Sequence, residues 1–307
     1  MDLAAAYAAC AETTRREAKN FYYAFLSLRP LQRQSIYALY AFCREADDVA
    51  DSPNPLTAEC DESAFRKGSD GGVDSPNPLM ARKQEGIDRL RARLAGAANG
   101  NPQVERDLAL ADTLERFGVD PNDLADVIRG VEMDLRVNRV PDEAAMRDYC
   151  YHVASAVGLA TLPILNNGTP PTDEMRELAI DLGLGMQYVN ILRDVREDIL
   201  EDRIYLPADE MTHFGVSEET LADGRTSDAA KRLLAHHADR ARTTLDRGLQ
   251  LVSRLPRSGR ACPWLLGAMY GRILARIVRR DYDVWSERVS LPKAEKLWLL
   301  LTSRWRT

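Results

Sequence analysis

The chain of 307 residues is short of the features that mark several large protein classes. Its five cysteines, Cys10, Cys43, Cys60, Cys150 and Cys262, are odd in number and scattered, with no CxxC pair. That pattern argues against a zinc ribbon or a disulfide scaffold and suits a reducing cytoplasm. The four histidines, His152, His213, His236 and His237, have neither HExxH spacing nor the partners of a serine or cysteine triad, so they read as structural or surface residues. Positive charge is not in excess: 41 Lys and Arg stand against 47 Asp and Glu, a net charge of -6, which argues against a general nucleic-acid binder. No run approaches the ~20 apolar residues of a membrane span. Acidic Asp2 stands where a secretory signal would be basic, so a cytoplasmic protein without a cleaved leader is expected. There is no GxGxxG, hence no Rossmann signature, and NADPH use is left open.

Alternating β-branched stretches are also nearly missing, while helical periodicity runs through the chain. An all-α fold is expected, with helices at about 3–28, 31–50, 80–96, 102–117, 121–137, 142–165, 173–200, 227–254, 261–287 and 292–304. Prolines punctuate it, among them Pro30, Pro102, Pro121, Pro141, Pro207, Pro256 and Pro292. The stretch 52–80 stands apart: rich in Pro, Gly, Ser and Asp, it carries "DSPNPL" twice, and it is expected to be a mobile surface loop. No other break resembles a linker, so 1–307 is expected to form one domain.

Two acidic stretches carry chemistry. In "YAFCREADDVAD", Asp47, Asp48 and Asp51 fall within one helical turn, although carboxylates at i,i+4 repel. Hard oxygen ligands gathered this way suit Mg²⁺, with Mn²⁺ as an alternative, completed by substrate phosphate and water. The plain structural alternative is a solvated acidic helix end. In "GLGMQYVNILRDVREDILEDRIYLP", Gln187, Asn190, Asp194 and Asp198 follow spacings of three, four and four, one polar stripe on an otherwise apolar helix. Such a stripe belongs at a cavity edge more than on an open surface. With Arg44, Arg193 and Arg203 nearby, the two stretches suggest a bundle that clamps metal and diphosphate between facing helices.

These motifs resemble the squalene and phytoene synthases, all-α enzymes of the isoprenoid-synthase helical-bundle type with a central active-site cavity. The resemblance runs from about Lys19 to Trp298 and rests on four stretches in order. "AKNFYYAFLSLRP" is similar to the substrate signature and implies diphosphate contacts at Lys19 and Asn20, the latter replacing a common serine, with Phe21 in the prenyl pocket. "YALYAFCREADDVAD" implies diphosphate contacts at Tyr40 and Arg44 and metal ligands at Asp47, Asp48 and Asp51. "YCYHVASAVGLATLPIL" places Tyr149 at the reacting carbons, with Val153, Ala154, Val157 and Gly158 making room for prenyl chains. "QYVNILRDVREDILEDRIYLP" implies Gln187, Asn190, Arg193, Arg203 and Tyr205 around diphosphate, with Asn190, Asp194 and Asp198 on metal. Phe25 and Tyr37 are either core aromatics or a pocket floor that limits chain length.

The resemblance implies head-to-head condensation of two identical prenyl diphosphates through a cyclopropyl diphosphate. "NFYYAF" and "YAFCREADDVAD" read slightly closer to the C30 squalene branch, with C40 phytoene synthesis the near rival. A chain-elongating prenyltransferase or terpene cyclase would usually carry a second DDxxD, where this chain has "DVRED". A non-catalytic helical scaffold would need no joint binding of magnesium and diphosphate. The C-terminal set Arg272, Arg276, Arg279 and Arg280 with "SLPKAEKLWLLL" reads as a solvated helix face or a peripheral contact with an anionic membrane. Nothing in the sequence fixes the oligomeric state.

Overall fold

The computed structural model describes residues 2–51 and 78–303. Helices α1 (Leu3–Glu17), α2 (Lys19–Phe25), α3 (Pro30–Asp51), α4 (Pro78–Ala98), α5 (Glu105–Phe117), α6 (Pro121–Asp134), α7 (Glu143–Cys150), α8 (Ala156–Leu165), α9 (Asp173–Leu200), α10 (Ala208–Phe214), α11 (Glu218–Ala222), α12 (Asp228–Gly248), α13 (Leu251–Arg254), α14 (Arg257–Arg279) and α15 (Lys293–Ser303) follow in order. Among the described residues the sole β-type pairing is an isolated parallel bridge, Arg139 to Ile204. The chain is all-α, as its periodicity predicts. The expected loop at 52–80 lies outside the described residues except at its end, where Pro78 begins α4.

Local signals explain several helix starts. Asp120, Asp142, Thr172 and Ser227 each accept a backbone N–H in the first turn of the helix that follows, and Pro121 sits at the start of α6 where no donor is needed. Asp173 and Glu174 add negative charge at the positive end of α9. Several boundaries differ from expectation. The single helix expected over 3–28 breaks at Ala18, where Lys19 takes a left-handed φ of 38° and swings α2 away from α1. The helix expected over 261–287 ends at Arg279 because Asp281 and Tyr282 also take positive φ, at 53° and 61°. Between α7 and α8 one turn, Tyr151–Ser155, is a π-helix. A helical periodicity cannot show an inserted residue of this kind, because both flanking segments remain helical.

One continuous set of buried side chains runs from Ala6 to Leu299. Its most extensive pairing is α9 against α12, and glycine makes that approach possible. A Cβ at Gly248 would stand 2.3 Å from the Leu182 backbone nitrogen, and one at Gly185 would stand 2.6 Å from that of Leu245. The other side of α9 meets the π-helix, where a Cβ at Gly183 would lie 2.6 Å from Ser155 Cα. The helix is thus gripped on two sides and presents the remainder of its surface elsewhere. Of the histidines, His152 and His237 are buried, with His237 Nε2 2.8 Å from Glu210 Oε2.

No helix among the described residues is long and apolar enough to cross a membrane. Helix α15 packs on α14 and α2 and leaves Leu297, Trp298 and Leu301 outward, the last 72% exposed. The expected basic face is partly consumed internally, since Arg272 and Arg276 both pair with Glu295.

Because Gly248 meets backbone rather than a flexible side-chain tip, Gly248→Ala is expected to destabilise the protein by about 1–3 kcal/mol through overpacking, despite the higher helix propensity of alanine. Urea unfolding of the two proteins measures the difference, and equal midpoints would contradict the close-packing account.

Candidate functional site

Helices α2, α3, α8, α9 and α14, with the π-helix, enclose a cavity of about 320 Å³. Its wall is overwhelmingly apolar. Phe21 and Phe25 enter from α2, Ile36, Leu39 and Tyr40 from α3, Val153 and Ala154 from the π-helix, Val157 and Gly158 from α8, and Met186 from α9. Six of the seven expected pocket residues therefore line it. Tyr37 does not: it lies behind Phe25, ring centroids 6.1 Å apart, stacked on Tyr22 at 6.4 Å. On a helix, residue 37 is turned about 100° from residue 36, and here Ile36 takes the inward position.

Polar groups gather at one end. Asp47 reaches the cavity from α3, facing Gln187 and Asn190 from α9. Asn190 Nδ2 donates to Gln187 Oε1 at 3.0 Å, while its buried Oδ1 accepts no protein hydrogen bond. Asp48, one residue on, is turned outward; it is 58% exposed and pairs with Arg44. The first acidic stretch is thereby divided, with Asp47 at the cavity and Asp48 away from it. Asp51 ends α3, and its side chain is outside the described set. Tyr40 lines the wall below Asp47, and burial together with that carboxylate pushes its phenol up to about 12, against the pull of Arg44. Lys19 and Asn20 begin α2 immediately before Phe21.

One turn beyond Asn190, Asp194 is held by two arginines. Arg193 donates to both of its oxygens, through Nε at 2.8 Å and through Nη2, and Arg288 donates from Nε at 2.8 Å. Burial would raise this carboxyl, yet the two guanidinium groups outweigh it and hold it below the ordinary range. Asp198 meets the opposite fate. Burial, then the charges of Asp194 and Glu201, push it up to about 7, with Arg203 opposing. Two neighbouring carboxyls on one helix face thus carry unequal charge, and the electrostatic demand for a further cation falls at Asp198.

A second polar cluster lies beside this stripe. Tyr149 and Tyr205 stack at 4.7 Å, and both hydroxyls donate to Asp134 Oδ1, at 2.8 and 3.2 Å. Burial, then Asp134 and Tyr205, raise the Tyr149 phenol well above its usual value, so it stays protonated. Tyr149 was expected at the reacting carbons; it is not among the cavity-lining residues and instead belongs to this cluster. The segment after α9 is fixed by Ile204 N to Asn138 O, 2.9 Å, and Ala208 N to Val140 O, 2.9 Å, which presents Tyr205 to Asp134.

Three residues escape the sequence reasoning. Asp134 ends α6 with partners 15 and 71 residues away, so no local spacing marks it. Tyr270 on α14 lines the cavity and lies 6.4 Å from Phe21. Arg288, in the turn after α14, reaches 94 residues back to Asp194. The usable signal was weak: the polar aromatic stretch "DYDVWSERVS" between two helices.

Among the described residues no three His, Cys, Asp or Glu side chains lie close enough to hold a metal ion by themselves. Magnesium does not need such a cage, since one or two carboxylates with substrate phosphate and water complete its octahedron. Asp47, the unpartnered Asn190 Oδ1 and the raised Asp198 offer hard oxygen of the right kind, and the donor set fits.

The model of the squalene/phytoene synthase family matches residues 14–295. The chain belongs to that family. It is 33% identical over 309 residues to a 15-cis-phytoene synthase of Synechocystis, covering 98% of this chain and 84% of the relative. It is 34% identical to phytoene synthase 3 of maize and 32% identical to phytoene synthase 1 of Arabidopsis thaliana, spanning 97% and 96% of this chain but 65% of each plant protein. A dehydrosqualene synthase solved with a ligand superposes with a TM-score of 0.83 at 25% identity, covering 99% of this chain and 97% of the other. A squalene synthase of Alicyclobacillus acidocaldarius shares the fold, with a TM-score of 0.77 at 24% identity over 92% of this chain and 96% of its own.

If one carboxylate anchors both phenols, removing it leaves two buried hydroxyls without an acceptor. Asp134→Ala is expected to cost about 1–3 kcal/mol, and its effect should be less than additive with Tyr205→Phe in a double-mutant cycle measured by denaturant unfolding. Strict additivity would show that Asp134 and Tyr205 are not energetically coupled.

Proposed function

We propose that this member of the squalene/phytoene synthase family joins two identical allylic prenyl diphosphates head to head, and that the substrate is geranylgeranyl diphosphate, giving a C40 phytoene-type product. One observation carries the reading: an apolar shaft whose polar end is made by Asp47 of α3 facing Gln187 and Asn190 of α9, one turn from Asp194 and the two arginines paired with it. The C30 lean of the sequence motifs gives way to C40 because the three sequence relatives above are phytoene synthases by name.

The residues divide the work. Asp47, Asn190, Asp194 and Asp198 would hold magnesium together with the substrate phosphates, and the bound metal would supply charge neutralisation to a departing diphosphate. Arg193 and Arg288, now paired with Asp194, are the cations that would bind phosphate oxygen. Below them the apolar wall excludes water, so the allylic cation meets the second substrate's double bond rather than hydroxide. Phe21, Tyr40 and Tyr270, which line the cavity, would offer that cation aromatic electron density. Proton loss closes the cyclopropyl diphosphate. Loss of the second diphosphate and a further proton gives the phytoene-type triene, with no hydride required; a squalene-type product would need NADPH.

Purified protein incubated with Mg²⁺ and either farnesyl or geranylgeranyl diphosphate, with and without NADPH, is expected to give a C40 hydrocarbon from the C20 substrate, independent of NADPH. A C30 product made in preference would move the assignment to the squalene branch, and no coupled product from either would end the condensation reading. Asp47→Asn and Asp194→Asn should each lower turnover about 100-fold or more, and Asp194→Asn should also lower the unfolding midpoint, because it leaves Arg193 and Arg288 without their counter-charge. Near-normal turnover in either variant would remove that residue from the diphosphate and metal machinery.

A further inference from the structure

We infer that Leu165, the last residue of α8, is the stop that sets prenyl chain length, with Ala179 and Cys262 fixing the width of the shaft just above it. The inference rests on the condensation reading and names the feature of the same cavity that selects its substrate.

Helix directions give the levels of the shaft. Helix α3 rises from Ile36 to Asp47, α9 from Ala179 to Asn190 and α14 from Cys262 to Tyr270, whereas α8 descends to Leu165. Cross-helix contacts tie these scales together. Ser155 Oγ donates to Ile180 O at 2.8 Å, and a Cβ at Gly158 would stand 3.3 Å from Ala179 O. The wall residues of α8 past Gly158 therefore lie at or below the level of Ala179. Gln32 Nε2 donates to Ile164 O at 2.9 Å, which sets Leu165 below Ile36 by about one helical turn. Among the wall residues of α3, α8, α9 and α14, Leu165 is thus the lowest.

The stop is also rigid. The Gln32 side chain pins the α8 terminus from α3. From the other side α14 presses in so closely that a Cβ at Gly259 would stand 2.0 Å from Leu165 O. A terminal isoprene unit can displace a flexible side chain, but not a helix end held between two others. Phe25, the expected floor, lies higher: its ring is 5.9 Å from Tyr40 and 6.1 Å from Tyr37, above Ile36 on α3. It narrows the wall without closing the shaft. Ala179 is the small residue that keeps the last stretch open, and Cys262 faces the same space.

Ala179→Phe would fill that stretch with a ring. The experiment measures kcat/KM for coupling of geranylgeranyl and of farnesyl diphosphate, both with Mg²⁺, in the wild type, in Ala179→Phe and in the milder Cys262→Leu. The expected result is a fall of about tenfold or more in the ratio of C20 to C15 coupling in Ala179→Phe, with a smaller fall in Cys262→Leu. Farnesyl coupling reports that each variant remains folded and catalytic. A ratio in both variants within roughly threefold of wild type would overturn the assignment, as would equal loss on both substrates in folded protein. Should Ala179→Phe fail to fold, the Cys262→Leu ratio decides. A wild type that couples farnesyl but not geranylgeranyl diphosphate would overturn the depth assignment and leave the condensation reading standing. A wild type that couples neither would refute that reading itself.

Discussion

A carboxylate taken out of water must be given a counter-charge or a proton, and the mouth of this cavity is organised around that demand. The same helix answers it in two ways within one turn. Asp194 receives Arg193 from its own helix and Arg288 from the far end of the chain, and stays ionised. Asp198 is half-buried beside it with only the opposing influence of Arg203, and is pushed toward the protonated form. In a low dielectric the mutual repulsion of two such groups is large, so the pair is poised to gain from one more positive charge. In the function proposed above, that charge would be a metal ion bound together with the substrate.

The scaffold must hold α9 rigidly while leaving this stripe open, and the packing shows how. Gly185 and Gly248 let α12 approach on one side, and Gly183 admits the π-helix on another. Both are close backbone contacts, which have no rotamers through which to relax. The π-helix has a related consequence. Its extra residue changes the angular register of the segment, so Tyr149 upstream joins Asp134 and Tyr205 while Val153, Ala154 and Val157 downstream face the cavity. A regular helix through 143–165 would set those two groups at a different angle to one another.

What was legible in the sequence follows from the distance over which each signal acts. The stripe Gln187, Asn190, Asp194 and Asp198 obeys a local period and could be read directly, whereas Val153, Ala154, Val157 and Gly158 followed from the resemblance of their stretch to the family. Asp134, Tyr270 and Arg288 act on partners far along the chain, and no period connects Arg288 to Asp194. The backbone reversals at Lys19 and at Asp281 were hidden for another reason. Non-glycine residues there take positive φ without any turn-forming glycine or proline to announce it. Asp48 shows the limit of the period itself, because three carboxylates in one turn do not all face the same way.

The charged mouth and the apolar shaft also depend on one another. An apolar wall strengthens every interaction at its rim by lowering the dielectric around it, which is what lets Arg193 and Arg288 hold Asp194 ionised despite burial. In the proposed function the rim would in turn anchor the diphosphate end of a substrate, so that the chain would be measured from a fixed origin. Depth can select chain length only when both ends of the ruler are fixed. Here the upper end is set by charges on α3 and α9, and the lower end by a leucine clamped between Gln32 and Gly259. Specificity and chemistry would then share the same two helices, one reading the head of the substrate at their upper turns and its tail at their lower ones.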